Sequence, residues 1–296
     1  MRVLASAELL DDAGAAVGEG PAWDAISQRL TWVDITSSLV HVANQDGQRL
    51  RTYEAGRHVG AALPAAGGGW LLVVRDGFAF LSEDGEVRRL IGVEMGEDIR
   101  FNDAKCDPAG RAFAGTMPYV ARSGAADLYR LAPGPRVVTV FSGLSLSNGM
   151  GWSPDGRRFW FIDSPTGSVC GYEYDIADGV VGKLQTVVSI PGHHGMPDGM
   201  CVDDAGCLWV CLWGGSAVHR YTPRGELDGV IELPVTQVTS CAFGGSDGHT
   251  LFITSAVHEL SGEARRREPL AGGLFAACVA QSGPPAALWT GMASQG

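Results

Sequence analysis

The sequence predicts an all-β protein, a single six-bladed β-propeller over residues 1–296 with almost no helix. Two observations lead to this prediction. Glycine is frequent, with 42 among 296 residues, and the glycines stand in short groups between apolar runs without a triplet period. Such punctuation is typical of many short strands joined by tight turns. The second observation is an internal repeat, which sets the number of blades.

Each repeat begins at a polar or small residue, passes through an Asp-Gly or Gly-Gly turn and ends in an apolar, aromatic strand. The clearest copies are NDAKCDPAGRAFAGT from Asn102, NGMGWSPDGRRFWFID from Asn148 and DGMCVDDAGCLWVCL from Asp198. Weaker copies begin at Glu19, Ala61 and Ser240, so that successive starts lie 41 to 50 residues apart. Strand–turn–strand units at a period of about 40–50 residues predict propeller blades of four strands each. Six units account for the chain.

A ring of blades must close on itself, because an open ring would expose the edge of a sheet. We expect the first and last strands of the chain to share the closing blade. The candidates are Arg2–Ala5 at the N-terminus and Gly273–Val279 near the C-terminus.

Charge and hydropathy exclude some classes of function. The net charge is −11, from 22 basic and 33 acidic residues, which argues against a nucleic-acid partner. No apolar run approaches the roughly 18 residues of a membrane span. Asp11 and Asp12 interrupt the N-terminal segment too early for the apolar region of a signal peptide. We therefore expect a cytoplasmic enzyme or binding protein with no membrane partner.

The seven cysteines do not predict a disulfide framework or a zinc site. Their number is odd, no CxxC pair occurs, and nothing marks the chain for secretion. Cys201, Cys207 and Cys211 cluster, but they fall within strand-like apolar stretches. Buried free thiols are the favoured interpretation.

The starting positions of the repeats predict a functional site. If the six positions are equivalent, they form one ring where the innermost strands open on one face. Two carboxylates, Glu19 and Asp198, and two carboxamides, Asn102 and Asn148, would then converge. Like charges brought together are costly unless a partner is present, and a hard divalent cation bound by oxygen atoms is such a partner. The alternative is that each residue only forms a local turn, which is less favoured for four residues at one repeat phase.

Several strings in the sequence resemble one known family. They are GEGPAW, RFNDAKCDPAGRAFAGTM, SNGMGWSPDGRRFWFID, PDGMCVDDAGCLWV, TSCAFGG and LAGGLF. Together they are similar to the senescence marker protein 30/gluconolactonase (regucalcin-like) family of six-bladed propellers, from Val17 to Phe275. The resemblance implies a divalent metal held by Glu19, Asn148 and Asp198. It also implies that Arg100 and Asn102 grip a small-molecule substrate, a sugar lactone.

The sequence departs from the family pattern at one position. Animal members of the family carry an acidic substrate-binding residue just after the GTM string, whereas Val120 stands at that position here. The hydroxyl contact that this residue would provide is therefore missing.

The resemblance predicts a metal-dependent lactonase. A divalent ion with three protein ligands keeps positions open for water and for the carbonyl oxygen. Asp198, placed at the metal by the resemblance, is the candidate general base. Oxygen ligands suit Ca²⁺, Mg²⁺ or Mn²⁺, and Zn²⁺ and Fe²⁺ also accept them, so the sequence does not name the metal.

Two other functions stay open at this stage. One is hydrolysis of an organophosphate or another activated ester, which the absence of an acid at position 120 would permit. The other is a non-catalytic metal-binding propeller. A serine nucleophile is disfavoured, because the G-x-S-x-G match at Gly244–Gly248 lies at the hairpin-turn phase of the repeat and not between a strand and a helix.

Overall fold

Six four-stranded antiparallel sheets make up the fold, as predicted. The computed structural model describes residues 2–132, 134 and 136–291. The first strand of the chain is β1, Glu8–Asp11. Blade 1 contains β2 Gly18–Asp24, β3 Arg29–Asp34, β4 Leu39–Ala43 and β5 Arg49–Glu54. Blade 2 contains β6 Val59–Pro64, β7 Trp70–Val74, β8 Gly77–Leu81 and β9 Val87–Gly92. Blade 3 contains β10 Ile99–Cys106, β11 Ala112–Pro118, β12 Ala126–Ala132 and β13 Arg136–Leu144.

The remaining strands build blades 4 to 6. Blade 4 contains β14 Ser147–Trp152, β15 Arg158–Asp163, β16 Ser168–Asp175 and β17 Val180–Ser189. Blade 5 contains β18 Met196–Val202, β19 Leu208–Trp213, β20 Ala217–Tyr221 and β21 Leu227–Glu232. Blade 6 contains β22 Val238–Gly244, β23 Thr250–Ser255 and β24 Leu274–Cys278. Helix is confined to α1, Gly262–Arg267, and to the 3₁₀ turns Ser164–Thr166 and Gly192–His194 among the residues described.

The first strand of each blade lies at the centre of the ring. β2, β6, β10, β14, β18 and β22 each contact the next one around the axis, which closes a six-bladed β-propeller. These inner strands are buried on both faces, so they carry small and apolar residues, as in VGAALP of β6. The outer strand β17, VVGKLQTVVS, is mostly exposed on the rim of its blade. Position in the ring therefore explains the difference in composition.

The ring closes through the N-terminus, although not through the predicted segment. β1 pairs antiparallel with β24 and completes blade 6, with Glu8 opposite Ala276 and Leu9 opposite Phe275. The prediction that Arg2–Ala5 fills this place is wrong. Those residues instead extend the edge of blade 5, where the backbone N–H of Leu4 donates to the Val230 carbonyl at 2.8 Å. The N-terminus thus covers two adjacent sheet edges, which removes more of the edge hazard than one strand would.

The core lies between neighbouring blades. Trp23, Trp32, Trp160 and Trp209 are fully buried in it, as expected for blade packing. All seven cysteines are free, and Cys201, Cys207 and Cys211 are buried, which confirms the interpretation of their spacing. No helix in the described part of the chain is long and apolar enough to cross a membrane.

Candidate active site

The inner strands share a feature that the repeat only partly revealed. In five of them two residues stand opposite one residue of the second strand, which is a β-bulge. In blades 3, 4 and 5 the bulged pairs are Asn102–Asp103, Asn148–Gly149 and Asp198–Gly199. In blades 1 and 6 they are Gly20–Pro21 and Thr239–Ser240, and in blade 2 the register shifts by Gly60 alone. Bulges change the direction of side chains. The end of the ring at which the bulged residues Asn102, Asn148 and Asp198 lie is here called the mouth.

The strand pairing corrects the assumed phase of the repeat. Asn102, Asn148 and Asp198 are equivalent, since each is the first residue of its bulge. Glu19 instead precedes the bulge of blade 1, while Ser240 is the second bulged residue of blade 6. Alternating side chains in a sequence do not show where a bulge inserts one residue, and an error of one residue exchanges the two faces of a strand.

Neighbouring bulges pack backbone against backbone. A Cβ added to Gly149 would lie 2.5 Å from the carbonyl oxygen of Asp198, and one added to Gly60 would lie 2.0 Å from that of Asn102. Only hydrogen fits at these positions. The inner strands therefore approach closely enough for their bulged side chains to converge.

Asn148 presents an unsatisfied oxygen at the mouth. Its Nδ2 donates to the hydroxyl of Ser164 at 3.1 Å, and Ser164 is fixed at the start of the 3₁₀ turn Ser164–Thr166. Its Oδ1 is buried and has no hydrogen-bond partner among the residues described. A buried acceptor without a donor is costly. A cation beside this oxygen would remove the cost.

Three carboxylates share the same buried region. Burial, then the negative charges of Asp198 and Asp103, raises the pKa of Glu19 well above its usual value. Burial and the charge of Asp103 likewise raise the pKa of Asp198. The pKa of Asp103 is raised by burial and held back by Lys105, and its Oδ2 has no partner within the described chain. Ionising all three carboxyl groups together is therefore costly unless a further positive charge lies beside them, and a bound cation would supply that charge.

Arg100 and Asn102 form one hydrogen-bonded unit. Arg100 is buried, and its Nη1 donates to the carbonyl of Phe101 and to Oδ1 of Asn102, both at 2.9 Å. Nδ2 of Asn102 donates to the carbonyl of Ser147 at 3.2 Å, which links blades 3 and 4. Burial lowers the pKa of Arg100, and the charges of Glu19 and Asp198 oppose that shift. The predicted substrate-binding pair therefore lies beside the predicted metal ligands, with Asn102 orienting the guanidinium.

Two residues at the mouth were not singled out from the sequence. Tyr119 follows β11, and its ring centroid lies 5.9 Å from Cζ of Arg100. His58, just before β6, contacts the Tyr119 hydroxyl through Nδ1 at 2.8 Å. Val120, the residue after Tyr119, is 79% exposed. The sequence held one indication of Tyr119, which directly precedes position 120, where animal members of the family carry an acidic residue.

The predicted ligand set fits a divalent cation. Glu19 and Asp198 supply buried carboxylates without sufficient counter-charge, and Asn148 supplies an oxygen without a donor. Oxygen donors of this kind suit hard cations. No group of three or more His, Cys, Asp or Glu side chains that could hold a metal occurs in the described part of the chain. The candidate set differs from such a group because its third member is an amide.

The hairpin with the G-x-S-x-G match carries no nucleophile site. Gly244 ends β22, and the turn leads directly into β23, so the segment joins two strands. A nucleophile elbow needs a strand followed by a helix.

Comparison with known proteins agrees with this architecture and with the motifs at the mouth. The family model described as the SMP-30/Gluconolactonase/LRE-like region matches residues 17–257, and these include all of the predicted site residues. The chain belongs to this family. The chain is similar to a putative sugar lactone lactonase of Bacillus subtilis, which is 37% identical over 276 residues that cover 92% of this chain and 94% of that protein.

Two further relatives extend the comparison. A pentonolactonase of Haloferax volcanii is 36% identical over 287 residues, covering 93% of this chain and 94% of its own length. The crystal structure of a calcium-binding protein, regucalcin, from Agrobacterium tumefaciens superposes with a TM-score of 0.92 at 26% identity. The superposition covers 98% of this chain and 99% of the Agrobacterium chain. Sequence and fold therefore agree over nearly the full length.

Proposed function

We propose that this protein is a divalent-metal-dependent lactonase that hydrolyses a sugar lactone to its open-chain acid. The observation that supports it most directly is the mouth of the propeller. Two buried carboxylates and the unsatisfied Oδ1 of Asn148 converge there beside a buried arginine. The names of the relatives, a sugar lactone lactonase and a pentonolactonase, support the reaction class.

Glu19, Asn148 and Asp198 would hold the metal. When bound, a divalent ion polarises the ester carbonyl and lowers the pKa of a coordinated water. The three side chains come from different blades, so the closed ring prepares the set before the ion arrives. Calcium is the first metal to test, since the Agrobacterium relative is described as calcium-binding, and oxygen donors also accept Mg²⁺, Mn²⁺, Zn²⁺ and Fe²⁺.

The chain's own residues would bind the lactone and move one proton. Asp198 takes a proton from the attacking water, as a positioned carboxylate base. Arg100 directs guanidinium N–H groups at oxygens of the substrate, in the orientation that Asn102 imposes. Burial of the site strengthens these contacts, because water no longer competes for them. The cytoplasmic location expected from the sequence stays a prediction.

The test is acid release from a panel of lactones. Metal-stripped protein is reloaded with each of the five ions in turn, and a pH indicator follows hydrolysis of aldonolactones above the spontaneous rate. We expect turnover that a chelator abolishes and that one ion restores best. Asn148→Leu, which keeps the size of the side chain and removes the oxygen, should bind the metal more weakly while the protein stays folded.

The outcomes separate the alternatives. Turnover of activated esters or organophosphates without turnover of lactones would replace the proposal with the second hydrolase. Tight metal binding with no hydrolysis of any substrate would make the protein a non-catalytic propeller. Full activity in chelator would contradict the metal dependence.

A further inference from the structure

Tyr119 lies at the edge of the mouth, where a hydrogen bond fixes its backbone and its side chain carries a hydroxyl group. Its N–H donates to the carbonyl of Asp98 at 2.8 Å, and Asp98 in turn accepts from Arg122 at 3.0 Å. Its ring lies over the Arg100 guanidinium, a favourable cation–π arrangement. The side chain is 43% exposed, so substrate approaching Arg100 meets it.

The hydroxyl of Tyr119 is engaged on one side only. Nδ1 of His58 lies 2.8 Å from Oη, across the boundary between blades 2 and 3. A phenol is a better donor than an imidazole N–H, and an unprotonated imidazole nitrogen is a better acceptor than a phenol oxygen. The stable arrangement therefore has Tyr119 donating its proton to Nδ1 of a neutral His58.

The surroundings of His58 favour the neutral form of its ring. Partial burial and the positive charges of Arg100 and Arg75 lower the pKa of His58 below its ordinary value. The backbone is fixed as well, since the carbonyl of His58 accepts from the N–H of Arg75 at 2.8 Å. A neutral His58 that carries its proton on Nε2 accepts the Tyr119 hydrogen bond at Nδ1.

A tyrosine hydroxyl that donates a hydrogen bond to a histidine keeps its oxygen lone pairs free to accept another. We propose that Oη of Tyr119, oriented by His58, accepts a hydrogen bond from a hydroxyl group of the substrate and so selects polyhydroxylated lactones over unsubstituted ones. This inference rests on the proposed lactonase function. Tyr119 touches substrate, whereas His58 is a positioning residue that acts through Tyr119.

The neighbouring side chains leave this role to Tyr119. Val120 has no polar side-chain atom and is 79% exposed. Oδ1 of Asn102 already accepts from Arg100. Arg100 itself has only donors, so it binds ring or carbonyl oxygens and does not accept from a hydroxyl.

The experiment compares two substrates in four variants. Hydrolysis of glucono-δ-lactone, which carries four hydroxyl groups, is measured against that of δ-valerolactone, which carries none. Tyr119→Phe keeps the ring over Arg100 and removes Oη. We expect kcat/KM for glucono-δ-lactone to fall roughly 10-fold, mainly through KM, and that for δ-valerolactone to stay within twofold.

The second variant tests the role of His58. His58→Leu removes the acceptor, so the Tyr119 hydroxyl is no longer held in one orientation. The preference for glucono-δ-lactone over δ-valerolactone should then fall by about 3- to 10-fold. His58→Gln retains an acceptor oxygen and should recover most of the loss. Val120→Ala, in the same loop, is the matched control and should leave both substrates unchanged.

Equal losses on the two substrates in Tyr119→Phe, or no loss on either, would overturn the proposal. Failure of the proposed function is distinguishable, because wild-type protein would then hydrolyse neither lactone. In that case calorimetric titration with gluconate supplies the readout. Weaker binding by Tyr119→Phe than by wild type supports the hydroxyl contact, and equal or absent binding overturns it.

Discussion

Individual residues at the mouth depend on neighbours that lie far away in the sequence. Ser164 holds the amide of Asn148 through Nδ2 and leaves Oδ1 without a donor, and Asn102 holds the guanidinium of Arg100. Neither Ser164 nor Asn102 needs to touch the reacting atoms to matter. An amide or guanidinium that is locked by such contacts loses little entropy when the ligand arrives.

Asp198→Asn separates the proposed base from the proposed ligand. The substitution keeps the size and one oxygen that can coordinate, but it removes the proton acceptor. We expect the hydrolytic rate to fall by roughly 10²- to 10⁴-fold, with metal retained at least in part. Stopped assays and elemental analysis on the same preparation measure both quantities. A metal-loaded variant with nearly normal turnover would exclude Asp198 as the base.

His41 makes a second residue-scale prediction, on stability. The ring is buried against Trp32, with Nδ1 2.9 Å from the hydroxyl of Thr52. Burial, assisted by the charge of Arg49, lowers the pKa of His41 from 6.5 to about 4. Between those values the unfolded chain binds a proton and the folded chain does not, so stability falls as the pH falls through that window.

The measurement is urea unfolding at pH 7 and pH 4.5. His41→Gln has no proton to gain, so its free energy of unfolding should fall less between the two pH values than that of wild type. His219, whose pKa is also lowered to about 4 mainly by burial, keeps part of the slope in both proteins. Identical losses in wild type and variant would show that His41 does not contribute.

At the scale of elements, the bulged inner strands decide the geometry of the site. Each bulge turns two consecutive residues out of the ladder, so that Asn102, Asn148 and Asp198 reach the mouth instead of pairing across the blade. Close packing between bulges then brings three blades together. The alternation of apolar residues in the sequence predicts the strands, but it does not show where a bulge inserts an extra residue into a strand.

Gly60→Ala tests this packing. The new methyl group would lie 2.0 Å from the carbonyl oxygen of Asn102, and backbone cannot move aside cheaply. We expect a loss of about 1–3 kcal/mol in the free energy of unfolding, as for other overpacked positions. A drop in kcat/KM should accompany it, since Asn102 orients Arg100.

Gly67→Ala is the matched control. No heavy atom lies within 4 Å of a Cβ at this position, so stability should change by less than about 0.5 kcal/mol. Equal stability of the two variants would mean that blades 2 and 3 can separate without cost, contrary to the packing described.

At the scale of the molecule, one segment near each end of the described chain ties neighbouring blades together. The N-terminus joins blades 5 and 6, and the segment 282–290 crosses the face opposite the mouth. That segment exchanges backbone hydrogen bonds with five blades in succession, at Asp204, Gly248, Trp23, Pro64 and Gly110. These hydrogen bonds therefore join blades that are far apart in the sequence.

Trp289 anchors the crossing segment and gives the last prediction. It is buried in the apolar cluster between blades 2 and 3, and its N–H donates to the carbonyl of Pro64 at 2.8 Å. Trp289→Ala should cost about 3–5 kcal/mol in unfolding while metal affinity stays unchanged, because the site opens on the other face. Ile26→Ala, at an 80% exposed turn, should cost almost nothing. Loss of metal binding in Trp289→Ala would contradict the separation of the two faces.

The sequence by itself determined the fold class, the number of blades and the family. Each of these rests on local, repeated signals, namely turn glycines, strand periodicity and the strings around Asn102, Asn148 and Asp198. It also named the residues that the structure gathers at the mouth, although it misjudged the phase of Glu19 and Ser240.

Only the tertiary structure decided which N-terminal segment closes the ring, where the bulges insert a residue and what borders Arg100. Glu8–Asp11 and Arg2–Ala5 are both short and partly apolar, so the choice between them depended on which sheet edge each could reach. Tyr119 and His58 are 61 residues apart, and neither has a partner that local spacing reveals. Contacts between blades are set by the packing of the closed ring, and no local pattern in the chain encodes them.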